Sequence, residues 1–133
     1  MSKVIHVAGK RKRAIARATI HEGKGIIRIN IQILETYEPK MGRLRLMEPV
    51  LLSGDVAKKV NIDVEVHGGG WQGQTEAVRL TIARGLVQFA RSKQLKQEFL
   101  EYDRNLLVQD SRHGEPSKPN DSKPRKARQK SYR

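Results

Sequence analysis

The chain has 133 residues, of which 37% are apolar and only 5% aromatic, enough for one domain with an aliphatic core and too few for two. Lys and Arg number 27 against 14 Asp and Glu, a formal charge of +13 that opposes self-association and calls for a polyanionic partner. No cysteine is present, which removes disulfides, thiolate metal sites and thiol catalysis.

Nucleic acid fits this charge better than membrane, because no basic stretch also carries the apolar face of an interfacial helix. Residues 1–8 lack the apolar run of a signal peptide, and Val50-Leu51-Leu52 falls far short of the roughly 20 residues that cross a bilayer. A soluble, cytoplasmic protein without membrane attachment is expected.

Taken in chain order, residues 4–33 read as strands. A first alternating stretch ends in the basic run Lys10, Arg11, Lys12 and Arg13, and a second covers 14–20. A loop with Gly23 and Gly25 follows, then Ile27, Ile29, Ile31 and Ile33 at every second position; the glycine loop and this run predict a hairpin. Between 34 and 60, Pro39, Gly42, Pro49 and Gly54 chop the chain into two or three brief helices. Residues 61–67 alternate cleanly, with Ile62, Val64 and Val66 on one face, and predict a half-buried strand.

Three glycines end that strand, and the main helix is expected over 74–91, with Val78, Ile82, Leu86 and Phe89 as its apolar stripe. Arg84 and Arg91 share a different face of it. A second helix is expected over 94–102 and a short strand over 106–108. At Ser111 the composition changes. Residues 111–133 carry eight basic and two acidic residues, three prolines, and only Ala127 and Tyr132 as apolar groups. Such a segment cannot bury enough surface to offset its ordering entropy, so a core of 1–110 and a tail of 111–133, disordered when free, are expected.

Two constellations carry chemistry. Four consecutive cations, with Arg17 close behind, repel one another unless a polyanion neutralises them, so Lys10, Arg11, Lys12, Arg13 and Arg17 are candidate phosphate contacts; a solvated loop is the plain alternative. Gly68, Gly70 and Gly73 satisfy G-x-G-x-x-G between a strand and a helix. A dinucleotide site also needs a parallel strand after the helix, ending in an acid about 20 residues on, and more helix with Lys93 and Lys96 stands there. Gly70-Trp71-Gln72-Gly73 matches the GXXG loop of KH domains too, but it does not join two helices and carries no basic residue. What remains is a backbone that phosphate can approach, followed by a helix N-terminus, or else a simple strand-to-helix turn. His6, His21, His67 and His113 show no ligand spacing, and no nucleophile motif or paired carboxylates appear, so no metal, cofactor or enzymatic activity is expected.

Three stretches together resemble a known family, the ninth protein of the small ribosomal subunit. They are Gly9-Lys10-Arg11-Lys12-Arg13-Ala14-Ile15-Ala16-Arg17-Ala18, the run Gly68-Gly69-Gly70-Trp71-Gln72-Gly73-Gln74 with Arg79-Leu80-Thr81-Ile82-Ala83-Arg84-Gly85-Leu86-Val87, and the ending Lys126-Ala127-Arg128-Gln129-Lys130-Ser131-Tyr132-Arg133. The ending looks like the archaeal and eukaryotic branch. The resemblance implies an α+β fold: a mixed four-stranded sheet with helices on one face and a left-handed β-α-β crossover, similar to the second domain of ribosomal protein five. It also implies a structural role in the head of the small subunit, bound to 16S-type rRNA and to neighbouring ribosomal proteins of the head. The tail would reach the anticodon stem-loop of the peptidyl-site tRNA. On this reading rRNA meets Lys10, Arg11, Lys12, Arg13, Arg17, Gly68, Gly69, Gly70, Gln72, Gly73, Arg84, Arg112, Arg125 and Lys126, and the tRNA meets Arg128, Lys130 and Arg133. The basic tail alone would equally suit a free RNA chaperone or architectural nucleic-acid binder.

Overall fold

Alternation in the first 22 residues folds into a hairpin. Strands β1 (Val4–Arg11) and β2 (Ala14–Glu22) pair antiparallel from Val4↔His21 to Arg11↔Ala14, leaving Lys12 and Arg13 as the turn. The computed structural model describes residues 3–117, 119, 123–125, 129 and 131. Strand β5 (Val60–His67) lies antiparallel against the other side of β2, with Val60, Ile62, Val64 and Val66 buried, as the alternation predicts.

The hairpin expected between β2 and the isoleucine run does not form, because β5 lies between them. Strands β3 (Ile27–Ile29) and β4 (Gln32–Ile33) complete the order β1-β2-β5-β3-β4, with β3 parallel to β5. The glycine loop is responsible. Gly23 N–H and Gly25 N–H donate to the Lys59 and Val60 carbonyls, and Asn61 Oδ1 accepts from the Lys24 and Ile26 N–H groups, so the loop is stitched to the start of β5.

The isoleucine run itself breaks at Asn30 and Ile31, both at positive φ (49° and 79°), where a two-residue turn returns the chain as β4. The sheet therefore has five strands where four were expected. Asn30 extends the β3/β5 ladder with its side chain, donating Nδ2–H to the Val66 carbonyl and accepting the Val66 N–H, both at 2.9 Å.

From β3 the chain crosses to its parallel partner β5 through helix α1 (Lys40–Ser53), which forms the β-α-β unit. Helix α1 is one element of 14 residues, flanked by 3-10 turns Leu34–Thr36 and Gly54–Lys59, where two or three brief helices were expected. Its Gly42 and Pro49 are both buried. A Cβ on Gly42 would stand 2.9 Å from Thr75 Oγ1, so the position serves close packing on the next helix, and that packing outweighs the local propensity to break.

Helix α2 (Trp71–Ala90) starts three residues before the expected 74 and carries the expected stripe, with Val78, Ile82 and Leu86 fully buried. It lies across the β1–β2–β5 face through a row of small residues. Gly9, Ala14, Ala16 and Ala18 point inward. A Cβ on Gly9 would sit 3.0 Å from Leu80 and Thr81 side-chain carbons, and one on Gly85 would collide with Ile20. Helix α3 (Lys93–Tyr102), capped by the Ser92 hydroxyl, packs Leu95 and Phe99 inward. The strand expected over 106–108 is instead a 3-10 turn, Arg104–Leu106. Asp103 caps it through the Asn105 N–H, and the buried Leu106 pins it down.

Arg79 ties the three helices together. Only 2% exposed, it donates from Nε to Glu48 of α1 (2.9 Å) and from Nη1 to Asp103 after α3 (3.1 Å). Its charge is thus compensated from two sides, which a buried guanidinium requires. No helix of the described residues is long and apolar enough to cross a membrane.

Ile31 is the clearest local conflict: a β-branched residue in the left-handed region, 94% exposed. Ile31→Gly is expected to stabilise the isolated protein by about 1 kcal/mol, the strain relieved exceeding the entropy glycine adds to the unfolded chain. A shift of the urea midpoint to higher concentration checks this; a shift to lower concentration would show that the side chain holds an unseen contact.

Candidate nucleic-acid interface

The β1–β2 turn and the start of α2 meet at one corner of the sheet. Pairing of Ile15 with His67 brings Gly68 and Gly69 beside Arg13 and Ala14. Both glycines have positive φ (81° and 68°), and a Cβ on Gly68 would strike the Arg13 carbonyl oxygen. Gln74 Nε2–H donates to the Gly68 carbonyl at 3.2 Å and holds the turn in place. Gly73, expected in a loop, is the third residue of α2 and faces the Arg11 carbonyl and Ala14.

Gly70 is the N-cap, and no side chain caps the helix. The N–H groups of Trp71, Gln72 and Gly73 therefore have no intrahelical acceptor, and the positive end of the α2 dipole opens at the foot of the basic turn. Lys10, Lys12 and Arg13 are exposed there. Together with Gly69, Gly70, Gln72 and Gly73 they line a groove of about 820 Å³. The chain from His113 to Ser117, with the carboxylate of Glu115, also lines it. Trp71 is half exposed, outside the core, with its carbonyl accepting the Thr75 hydroxyl at 2.7 Å.

Other members of the expected set lie elsewhere. Arg11 turns inward: its Nη2 is 3.6 Å from Asp110, and its Nη1 is buried without a hydrogen-bond partner. Arg17 sits on the open face of the sheet, directly across from Glu65. Arg84, expected as an rRNA contact, has an internal role. It donates from Nε to the Leu107 carbonyl (2.9 Å) and from Nη1 to the Ala8 carbonyl (3.2 Å), tying the chain after α3 to the edge of β1. Arg112 forks onto Asp110 (2.7 and 3.1 Å), and Arg125 pairs with Glu115. Lys126, Arg128, Lys130 and Arg133 lie outside the described residues.

The G-x-G-x-x-G spacing does not build a dinucleotide site. Helix α2 is followed by α3, and the one parallel neighbour of β5 is β3, which precedes it in the chain. No group of three or more His, Asp or Glu that could hold a metal occurs among the described residues.

Asp110 was missed by the sequence reading, although the Asp-x-Arg spacing was a signal for it. Its carboxylate accepts the Arg112 side chain and backbone N–H, and Arg11 stands beyond. The Arg112 side-chain bond, helped by that N–H, holds the carboxyl well below the usual carboxylate range. A depressed pKa keeps this contact intact above the ordinary Asp value and releases it only as pH falls through the lowered one. In carboxyl-carbon NMR, Asp110 is therefore expected to stay ionised at about pH 3.9, where an ordinary Asp is half protonated. Titration at the ordinary value would mean the contact is absent in solution.

With this geometry in place, the comparisons are direct. The family model for ribosomal protein S9/S16 matches residues 9–133. The small ribosomal subunit proteins uS9 of Methanococcus maripaludis (strain C7) and Methanococcus vannielii are each 50% identical to this chain, covering 98% of it and 99% of their own length. The chain belongs to the ribosomal protein S9/S16 family in its archaeal form, a structural, non-enzymatic constituent of the small ribosomal subunit in the cytoplasm.

Proposed function

We propose that the core binds small-subunit rRNA in the head through the corner formed by the β1–β2 turn and the start of α2. One observation carries this reading: three outward cations, Lys10, Lys12 and Arg13, stand beside an uncapped helix N-terminus that two positive-φ glycines bring to them. A phosphate entering the groove would meet point charges on one side and backbone N–H donors on the other. Residues 111–133 act as an arm rooted on the body by Arg112 on Asp110, its outer part disordered when free and ordered on RNA. About 20 extended residues span roughly 60 Å, enough to carry Arg128, Lys130 and Arg133 to the anticodon stem-loop of the peptidyl-site tRNA. The uS9 relatives, matched over nearly their whole length, support the coarser part of this reading, a place in the small ribosomal subunit.

The Lys12→Gln/Arg13→Gln double variant is expected to reduce the slope of log affinity for rRNA against log salt by about 1.4 to 1.8, two phosphate contacts at roughly 0.7 to 0.9 each. An unchanged slope would remove the turn from the interface. Deleting Arg133 alone is expected to speed tRNA release from the peptidyl site while subunits still assemble. Equal off-rates from wild-type and shortened subunits would count against the tail's role.

A further inference from the structure

Helix α1 is apolar on both sides. Its inner face buries Gly42, Leu46, Pro49 and Ser53. Outward, Met41, Leu44 and Leu51 are 66%, 50% and 72% exposed. At about 100° per residue these three fall within an arc of about 80°, so they form one stripe and not scattered apolar residues. A stripe of this kind leaves on the order of a few hundred Å² of apolar surface in water, the size at which exposed patches mark partners.

The polar residues of α1 do not break this stripe. Glu48, the one acidic residue of the helix, lies within the arc, but its carboxylate turns to the buried Arg79. Arg43 donates to the Glu35 carbonyl, and Arg45 pairs with Glu76 of α2. Lys40 is exposed beside the stripe, and Lys58 and Lys59 are exposed just beyond its end, with Asp55 pairing Lys58. The surface is thus apolar in the middle, with exposed lysines at both ends and the exposed carboxylates of Glu38 and Asp55 near them in the chain.

We infer that the outer face of α1 docks a neighbouring small-subunit protein, one presenting an apolar strip bordered by carboxylates. The inference rests on membership of the subunit, whose other components are rRNA and ribosomal proteins. RNA is the poorer occupant: a phosphate backbone needs cations along its length, and two of the three cations of α1 already have partners within the chain, Arg43 on the Glu35 carbonyl and Arg45 on Glu76. A second copy of this chain is disfavoured by its own +13 charge. An apolar centre with a charged rim is the anatomy of a protein–protein contact, and carboxylates on the partner complement the cations at each end of the stripe.

The chain has no cysteine, which makes the test clean. Leu51→Cys, labelled with a benzophenone maleimide and carried in assembled small subunits, is expected on irradiation to cross-link to another ribosomal protein. The linked peptide should contain apolar residues flanked by Asp or Glu. A cross-link to rRNA, or none at all, would overturn the proposal. Lys12→Cys, labelled in the same way, is expected to cross-link to rRNA, so failure of the RNA-facing corner and failure of this face are read separately. As a second measurement, Leu51→Lys is expected to lower the content of the cross-linked neighbour in subunits at least threefold while rRNA affinity of the purified protein stays within twofold. A rise in rRNA affinity would show that RNA, and not protein, faces α1.

Discussion

The close approach of α2 to β1 and β2 is the constraint on which the rest of the structure depends. It exists because the inward row of the hairpin between Val7 and Ile20 is made of Gly9, Ala14, Ala16 and Ala18, and because Gly85 leaves room for the Ile20 side chain against the helix. Were that row valine or isoleucine, the helix would ride higher and its N-terminus would lift away from the Lys12–Arg13 turn. The same residues that read as a basic motif therefore include a packing motif. Gly9, Ala14, Ala16 and Ala18 set the depth at which the cations between and beside them meet the helix end.

That layering explains why the α1 crossover and the ion network around Arg79 are needed. A helix lying flat on small residues gains little from large side chains on that contact. Part of the deficit is recovered on its far side, where α1 packs through Gly42 and Thr75, and where Glu48 and Asp103 converge on Arg79. Removing one acid would leave a buried guanidinium half compensated, a costly state in a low-dielectric interior. The three-helix layer is accordingly held by one charge cluster and a close-packed seam, not by a large aromatic core, which suits a chain with 5% aromatic residues.

Much of this was legible in the sequence, and the misses have physical causes. Strand β5 and the buried stripe of α2 followed from periodicity, which works wherever one face is buried and the other is wet. The β2–β3 hairpin was misread because a glycine loop signals a turn but not which strand it will serve; here Asn61 captured the loop for β5. The isoleucine run concealed its turn because Ile31 is an improbable residue at positive φ. Pro49 and Gly42 seemed helix breakers, yet both lie buried in α1, and Gly42 sits where packing on Thr75 demands a small residue. At the candidate interface, sequence found the cations and the glycines but not their division of labour, because whether a guanidinium faces outward or inward depends on distant carbonyls and carboxylates.

That division follows side-chain chemistry. Among the described residues, the cations held by side-chain or backbone partners are mostly arginines: Arg11, Arg43, Arg45, Arg79, Arg84, Arg112 and Arg125. Lysine does so at Lys3, which donates to the Phe89 carbonyl, and at Lys58. A planar fork with five donors can bridge two elements at fixed angles, as Arg84 bridges β1 and the chain after α3, whereas a single ammonium serves mainly as a charge. The formal +13 is consequently a poor count of phosphate contacts. Part of the basic character builds the fold, with Arg11, Asp110 and Arg112 fixing where residues 111–117 leave the body. On the proposed reading the cations that meet RNA are those of the β1–β2 turn and, by sequence, of the last ten residues, while other exposed cations, among them Arg17, Lys24, Arg28, Lys93 and Lys96, are spread over the rest of the surface. Arginine-rich composition thus sets two things at once: where the arm departs and how strongly the whole surface attracts a polyanion.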